Sequence, residues 1–401
     1  MQFKELSGFQ QELLIELSSG RGLQGLIDKI STYCRKPIIV MNSSTRVLAS
    51  SLKIQPEEEF IEILESNQEK NRMSLIWNDQ KLEGLVFPVE SNNLKLGSLL
   101  ILDACPTEDF IIEIGKQAAL SCAVEIVKQN ELLLFEQQYK EAFIYELLYG
   151  NIEYNQDIIS QGEIWGWNLE YPHGVIVFEL EEYEQYSSDF QLVKILLDIV
   201  SIKLGKIGRK PILLRKKGEI VVLLTIEEAN LQERRTLIEM FVKKVMNKAE
   251  EKVAPRIVRV GVGRIYDNPN EIFRSYQEAK VALELGRLLN MRLTIPCFGD
   301  LGLARILYNH DYQELQDFYQ ETLGDLEKYD KEQGSELLNS LEKYLLHRCE
   351  LKTAADALFL HPNTLRYRLK KIEEILSIDL NEFDIKLNLM AAFKIKYLKK
   401  V

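Results

Sequence analysis

The stretch KTAADALFLHPNTLRYRLKK, residues 352–371, decides how the end of this 401-residue chain folds. Small and apolar residues from Thr353 onward predict one helix, which a short turn follows. His361 followed by Pro362 predicts the start of a second helix, because proline at the first helical position has no hydrogen bond to lose. The stretch therefore predicts two helices packed around a tight turn.

Both helices are expected to bury one side. In the first helix, alanines let another helix approach closely, and two larger residues complete the buried side. These positions are Ala354, Ala355, Ala357, Leu358 and Phe359. In the second helix, spacing at 100° per residue groups the apolar side chains on one face. These are Leu365, Leu369, Ile372 and Leu376.

The opposite face of the second helix carries side chains that suit DNA. Arginine bonds bidentately to guanine and asparagine to adenine, whereas lysine and arginine also bind phosphates without reading sequence. In such a two-helix unit, base contacts come mainly from the N-terminal part of the second helix. The predicted base contacts are Asn363, Thr364, Arg366 and Tyr367, and the predicted phosphate contacts are Arg368, Lys370 and Lys371. The alternative is a surface helix whose basic side is merely solvated.

Charge distribution along the chain favours the DNA interpretation. The formal net charge of the whole chain is −11. Residues 331–401 hold thirteen Lys and Arg against ten Asp and Glu, a net charge of +3, so the other 330 residues carry −14. Only the C-terminal segment is therefore suited to a polyanion.

Composition indicates a soluble protein of the cytoplasm. The hydrophobic content of 46% is ordinary for a globular chain, and its length suggests two to four domains. Five scattered cysteines without paired spacing fit reduced thiols. No apolar run reaches the ~20 residues that a membrane span requires. The first twenty residues are expected to form an amphipathic helix rather than a signal peptide.

Residues 1–125 are expected to form a sensor domain. After a first helix, the pattern predicts strands at 37–42 and 46–51, a short helix at 57–67, and strands at 82–90 and 96–103. With the long helix that follows, this order is typical of GAF- or PAS-like sensor domains. Candidate ligand-binding residues for a small-molecule effector are Tyr33, Arg46, Trp77 and Asn78, although ordinary packing would explain them equally well.

The long helix is predicted at 107–149 and would be over 60 Å long at ~1.5 Å per residue. Its apolar positions could pair with a second subunit as well as with the domain itself, and a homodimer is expected because helix-turn-helix readers pair their half-sites by symmetry. These positions are Ile112, Leu120, Val124, Leu132, Phe135, Phe143 and Leu147.

Residues 152–290 show the order β–α–β–β–α–β, with one further helix at 272–289. This order predicts a ferredoxin-like domain, in which one antiparallel sheet lies under two helices. The glycines of GVG at 261–263 resemble a phosphate loop, but the longer GxGxxG pattern fails at Tyr266, so a strand end explains them better. Residues 291–401 are predicted to be helical throughout.

At this point the chain resembles a known family. HPNTLRYRLKKIEEI, preceded by KTAADALF, resembles the C-terminal helix-turn-helix of PucR/CdaR-type regulators, which control purine, sugar-diacid and related catabolic genes in bacteria. RVGVGRIYDNPNEIFRSYQEAKVALELG is similar to the central domain of that family, a degenerate relative of the GGDEF cyclase fold. The resemblance implies a transcriptional regulator whose N-terminal part is the variable sensor.

Cyclase chemistry is not expected from the central domain. An active cyclase needs carboxylates for two metal ions and glycines that let the backbone approach nucleotide phosphates. The corresponding hairpin, residues 216–220, reads KKGEI and keeps one glycine and one carboxylate. The four histidines lack metal-ligand spacing, so no metal, cofactor or catalytic residue is predicted. The chain is expected not to be an enzyme.

The sequence therefore predicts an α+β multidomain protein. Its predicted parts are a GAF/PAS-like sensor at 1–125, a connecting signalling helix at 126–151, a degenerate GGDEF-like domain at 152–290, a helical connector at 291–330 and an all-α helix-turn-helix domain at 331–401. The expected function is ligand-responsive regulation of a bacterial operon through double-stranded DNA. The alternatives are a nucleotide-binding signalling protein and a protein-interaction scaffold that use the central fold.

Overall fold

The computed structural model describes residues 2–52, 62–67, 72–77, 80–105, 108–185, 187–208, 210–228, 230–289 and 295–398. These residues form two compact units, Met1–Tyr139 and Lys140–Val401, and each unit is described by itself. Within the described ranges, no helix combines the length and the apolar character needed to cross a bilayer.

The first unit is an antiparallel sheet with helices on one face. Its elements are α1 (Gln2–Ser18), α2 (Gly22–Cys34), β1 (Ile38–Asn42), β2 (Val47–Ser50), β3 (Glu62–Asn67), β4 (Arg72–Trp77), β5 (Gln80–Ser91), β6 (Leu94–Leu102) and the first part of α3 (Asp109–Tyr149). The strand order is β2-β1-β6-β5-β4-β3. Phe9 of α1, Ile27 of α2 and Ile114 of α3 are fully buried against the same face of this sheet.

The helix predicted at 57–67 is wrong over the residues that the structure describes. Glu62–Asn67 is strand β3, which pairs with β4, a strand that the pattern did not reveal. Residues 57–61 lie outside the described residues. The antiparallel partner supplies the backbone hydrogen bonds of this short segment, and such tertiary pairing readily overrides a weak local helical preference.

The second unit contains the predicted β–α–β–β–α–β order. Its elements are α4 (Asn155–Ile164), β7 (His173–Leu180), α5 (Asp189–Lys206), β8 (Ile212–Lys216), β9 (Glu219–Thr225), α6 (Leu231–Val253), β10 (Val258–Tyr266) and α7 (Ile272–Leu288). The sheet is antiparallel throughout, with the order β10-β7-β9-β8. This topology confirms the ferredoxin-like prediction.

Both faces of this second sheet are covered. Helices α5 and α6 pack on one face, where the rings of Phe178 and Phe241 lie 6.2 Å apart. Helix α7 and the end of α3 pack on the other face. The GVG glycines lie inside β10, and a Cβ at Gly263 would stand 2.0 Å from the carbonyl oxygen of Ser275 in α7. Close helix packing, rather than a phosphate loop, therefore explains these glycines.

Helices follow to the end of the described chain. They are α8 (Leu303–Tyr308), α9 (Tyr312–Gln333), α10 (Leu337–Leu346), α11 (Leu351–Ala357), α12 (Pro362–Leu376) and α13 (Phe383–Leu398). Leu323 of α9, Leu341 of α10, Leu365 of α12 and Ala392 of α13 are fully buried in one shared core. At the end of α13, Leu398 packs against the cluster formed by α7 and α8, so the C-terminal helices are anchored on the domain that holds the second sheet.

Candidate DNA interface

Helices α11 and α12 form the predicted two-helix unit. The N-cap of α12 is His361, whose Nδ1 accepts a hydrogen bond from the backbone N–H of Asn363 at 3.2 Å. Pro362 occupies the first turn, where its missing N–H is harmless. At the other end, Ser377 adopts a left-handed φ of 54° and ends the helix. The start of α12 is thus set by side chains within the motif itself, and its end by the backbone of Ser377.

One face of each helix is buried as expected, with two corrections. Ala354, Ala355, Leu365 and Ile372 have no exposed surface. Ala357, however, is exposed, and Phe359 is 97% exposed instead of buried. Because Phe359 lies in the turn after α11 has ended, helical spacing does not apply to it.

The opposite face of α12 is open. Asn363, Thr364, Arg366, Tyr367 and Lys370 are all exposed. The Nη1 of Arg366 donates a hydrogen bond to Oδ1 of Asn363 at 3.1 Å, which holds two of the candidate readers together on one turn. This face presents hydrogen-bond donors that reach outward from the N-terminal half of the helix, as base reading requires.

The remaining two candidates are already engaged within the protein. Arg368 is half-buried, and its Nη1 donates to Oγ of the fully buried Ser340 in α10 at 2.9 Å. The Nζ of Lys371 lies 3.2 Å from Oε2 of Glu374, and this hydrogen bond raises the pKa of Lys371. Lys371 also lies 6.0 Å from the ring centre of Tyr329. Of the phosphate candidates, Lys370 is therefore the freest to meet DNA.

The hairpin that would carry cyclase chemistry is occupied by internal contacts. The ammonium of Lys216 donates to the hydroxyl of Tyr149, at the end of α3, and to that of Tyr276 at 3.3 Å. The first of these contacts lowers the pKa of Tyr149. Glu219 forms an ion pair with Lys280 of α7. Among the described residues, no group of His, Cys, Asp and Glu side chains is arranged to hold a metal ion.

The four sensor candidates fall in different places. Tyr33 of α2 is half-buried, with its ring 4.7 Å from that of Phe9. Arg46 is exposed beside the turn between β1 and β2. Trp77 ends β4, but its side chain and all of Asn78 lie outside the described residues. Tyr33 thus belongs to the helix layer and Arg46 to a loop.

A cavity of about 850 Å³ between α6 and β10 was not anticipated from the sequence. Its charged rim is internally paired: Arg235 lies 2.8 Å from Asp300, and Arg256 lies 2.9 Å from the carboxylate of Asp189. The inner wall is apolar, with Val242, Met246, Val258, Val260 and Pro296. β10 is the edge strand of its sheet, and no pattern in its sequence or in that of α6 indicates a cavity beside it.

The fold and the exposed face of α12 define a helix-turn-helix protein of the DNA-binding class. Residues 337–395 match the family described as the PucR C-terminal helix-turn-helix domain, and residues 149–285 match the GGDEF-like domain. The chain therefore carries both domains of PucR-type regulators, as the sequence resemblance implied.

Several characterised regulators are similar to the chain. It is 25% identical over 390 residues to the purine catabolism regulatory protein of Bacillus subtilis, covering 95% of this chain and 72% of that protein. It is 24% identical to the proline-responsive transcriptional activator PutR of the same organism, covering 93% and 96%. The carbohydrate diacid regulator of Escherichia coli is 30% identical over 139 residues, which are 34% of this chain and 35% of that protein.

One solved structure has a weaker likeness. It is a regulator of polyketide synthase expression from Bifidobacterium adolescentis, with 15% identity and a TM-score of 0.32. The match covers 66% of this chain and 95% of that one.

Proposed function

We propose that this protein is a sequence-specific DNA-binding transcriptional regulator of a bacterial catabolic or metabolic operon. The observation that carries the proposal is the face of α12, where Asn363, Arg366 and Tyr367 are exposed above a fully buried Leu365. The relatives that are named as regulators of purine catabolism and of the proline response support the same conclusion. Such a regulator works in the cytoplasm, where it meets the chromosome.

The test is selection of binding sites from random DNA by the purified full-length protein, followed by footprinting on the host genome. We expect one enriched, two-fold symmetric sequence upstream of catabolic genes. Equal binding to all sequences would favour a scaffold whose basic helix meets acidic partners. In that case the regulator proposal fails.

The central domain serves as a structural element and not as an enzyme in this proposal. Its hairpin contributes a lysine, Lys216, that holds two tyrosines, and it lacks the carboxylate pair that two metal ions need. A nucleotide-binding role remains the second candidate because the GGDEF-like fold is present. Titration with radiolabelled GTP and ATP distinguishes the structural role from the nucleotide-binding role. We expect no saturable binding, whereas saturable binding would favour the nucleotide-binding role.

We assign the input to residues 1–125 as a GAF/PAS-like sensor for an unidentified small molecule. Support comes from its single antiparallel sheet, whose helices cover one face. The connecting helix 126–151, the GGDEF-like domain 152–290, the connector 291–330 and the reader domain 331–401 complete the proposed division. Helix α3 begins in the first compact unit and ends in the second, as a signalling connection requires.

We also propose a homodimer that pairs along α3. Leu120, Val124, Leu134 and Phe135 are each 57–65% exposed. At 100° per residue they fall within about 100° of one another, together with Val127, on the side opposite the core-facing Ala118. Four of the positions suggested by the sequence do not contribute. Phe143 and Leu147 are buried in the core of the second unit, and Ile112 packs against the core of the first. Leu132 is exposed but lies outside the stripe. A second copy is the natural cover for a stripe this long, since helix-turn-helix proteins read paired half-sites.

A further inference from the structure

Phe359, in the turn between α11 and α12, lowers the folding stability of the free protein. Its side chain is 97% exposed and its φ is 56°, in the left-handed region that a bulky side chain rarely adopts. Turns of this type often use glycine, which enters that region freely. Of the described non-glycine residues with positive φ, Phe359 is the only aromatic one. Folding stability alone would therefore favour glycine or asparagine here.

The turn around Phe359 is fixed by its own backbone. The N–H of Phe359 donates to the carbonyl of Asp356 at 3.1 Å, and the N–H of Leu360 donates to that of Ala355 at 2.9 Å. The side chain before it, Leu358, packs against the buried core. The neighbours thus hold the chain in place while the phenyl ring of Phe359 stands in solvent.

The ring also stands next to the end of α12 that reads bases. Phe359 precedes the N-cap His361 by two residues and the candidate reader Asn363 by four. When the N-terminus of a recognition helix enters the major groove, the residues just before it lie at the groove's edge. The available apolar partner in that groove is the 5-methyl group of thymine.

We propose that Phe359 is a further specificity-determining residue, which contacts a thymine methyl group beside the bases read by α12. This inference rests on the proposed function. In the free protein the exposed ring contributes no hydrophobic stabilisation. When the ring is buried against DNA, its apolar surface leaves water and stabilises the complex. This burial also explains why an aromatic residue, and not a glycine, occupies the left-handed position.

The experiment compares the full-length protein with Phe359→Asn on the selected operator. Asparagine tolerates a left-handed backbone, so the turn is preserved while the apolar ring is removed. The matched control is Phe383→Asn, which removes another exposed ring, 77% accessible, at the start of α13. We expect about 10-fold weaker operator binding for Phe359→Asn and an unchanged affinity for the control.

A second arm replaces each thymine of the operator by deoxyuridine, which removes only the methyl group. The affinity of the unmodified protein should fall about fourfold when the thymine at one position of each half-site is replaced. The affinity of Phe359→Asn should not change on the same replacement. The salt dependence of binding should not change, because no phosphate contact is lost. Thermal unfolding at an equal or higher temperature than the parent verifies that the variant is folded.

Two results would overturn the inference. One is parental operator affinity in Phe359→Asn, which, combined with lost transcriptional output in cells, would assign the ring to a protein partner instead. The other is weaker binding with no thymine at which the two proteins differ. Failure of the proposed function itself is distinguishable, because the parent protein would then select no operator at all.

Discussion

At the level of single residues, α12 separates side chains that are free to read DNA from those that hold the fold. Asn363 and Arg366 are exposed and bonded to each other, whereas Arg368 is half-buried against Ser340. Sequence spacing placed all three among the DNA contacts. Only their surroundings show that Arg368 has a structural partner.

Replacing Arg366 tests base reading. We expect Arg366→Ala to weaken binding to the cognate site by about 1–3 kcal/mol and to relax the preference at one base pair, because a bidentate contact to guanine is lost. Competition titrations with operators that carry each of the four bases at that base pair measure the affinity and the preference. Equal losses on cognate and random DNA would instead assign Arg366 to phosphate.

Lys370 and Lys371 differ in their availability to phosphate. Lys370→Ala should lower the slope of log affinity against log salt by about 0.9, since one phosphate contact disappears. Lys371→Ala should lower it less, because Glu374 already engages that ammonium at 3.2 Å. Anisotropy titrations at four salt concentrations compare them. Equal slopes for the two variants would mean that the ion pair to Glu374 opens on DNA.

His173 predicts a pH dependence of folding stability. It is 1% exposed in β7, and burial lowers its pKa to about 4. In the unfolded chain this histidine has an ordinary pKa of about 6.5. As the pH falls, the unfolded chain therefore binds a proton at His173 while the folded chain keeps the imidazole neutral. Stability should therefore drop by about 2 kcal/mol between pH 7 and pH 5.

The control for this effect is His173→Gln, which cannot titrate. Urea unfolding of both proteins at pH 7 and pH 5 isolates the histidine contribution as the difference between their losses. If the two proteins lose the same stability, His173 is not the titrating group.

At the level of elements, the C-terminal motif was predictable and the turn inside it was not. Helical periodicity locates Leu365 and Ile372 in the core, and the His-Pro pair marks where α12 begins. The same periodicity wrongly placed Phe359 inside, because α11 ends at Ala357. In the N-terminal unit, β3 was mistaken for a helix because its identity depends on pairing with β4.

The contact between α10 and α12 gives a prediction about the integrity of the reader domain. Arg368→Met should destabilise this domain by about 1–3 kcal/mol, because a hydrogen bond from a charged group to the buried Ser340 is lost. Ser340→Ala should reproduce part of the loss without changing any charge. Chemical unfolding followed by hydrogen exchange in α12 measures both. If Arg368→Met instead lowers the slope of log DNA affinity against log salt by about one and leaves stability unchanged, Arg368 contacts phosphate.

At the level of the whole molecule, the proposed regulator is a dimer whose two copies present their α12 helices together. Leu134→Glu should give monomers in sedimentation velocity, because it places a charge in the exposed apolar stripe of α3. Leu133→Glu is the matched control, since Leu133 is similarly exposed but lies about 150° around the helix from the middle of that stripe. Dimers that survive Leu134→Glu would place the interface elsewhere.

The sequence by itself determined the order of the elements in the second unit, the two helices of the reader domain and the polar face of α12. Those features follow from local periodicity and from the fixed geometry of helix ends. The tertiary structure alone decided that Phe359 is exposed, that Arg368 is bonded to Ser340, and that β3 is a strand. Each of these depends on residues distant in the chain or on where a helix stops, because burial and strand pairing are properties of the packed molecule.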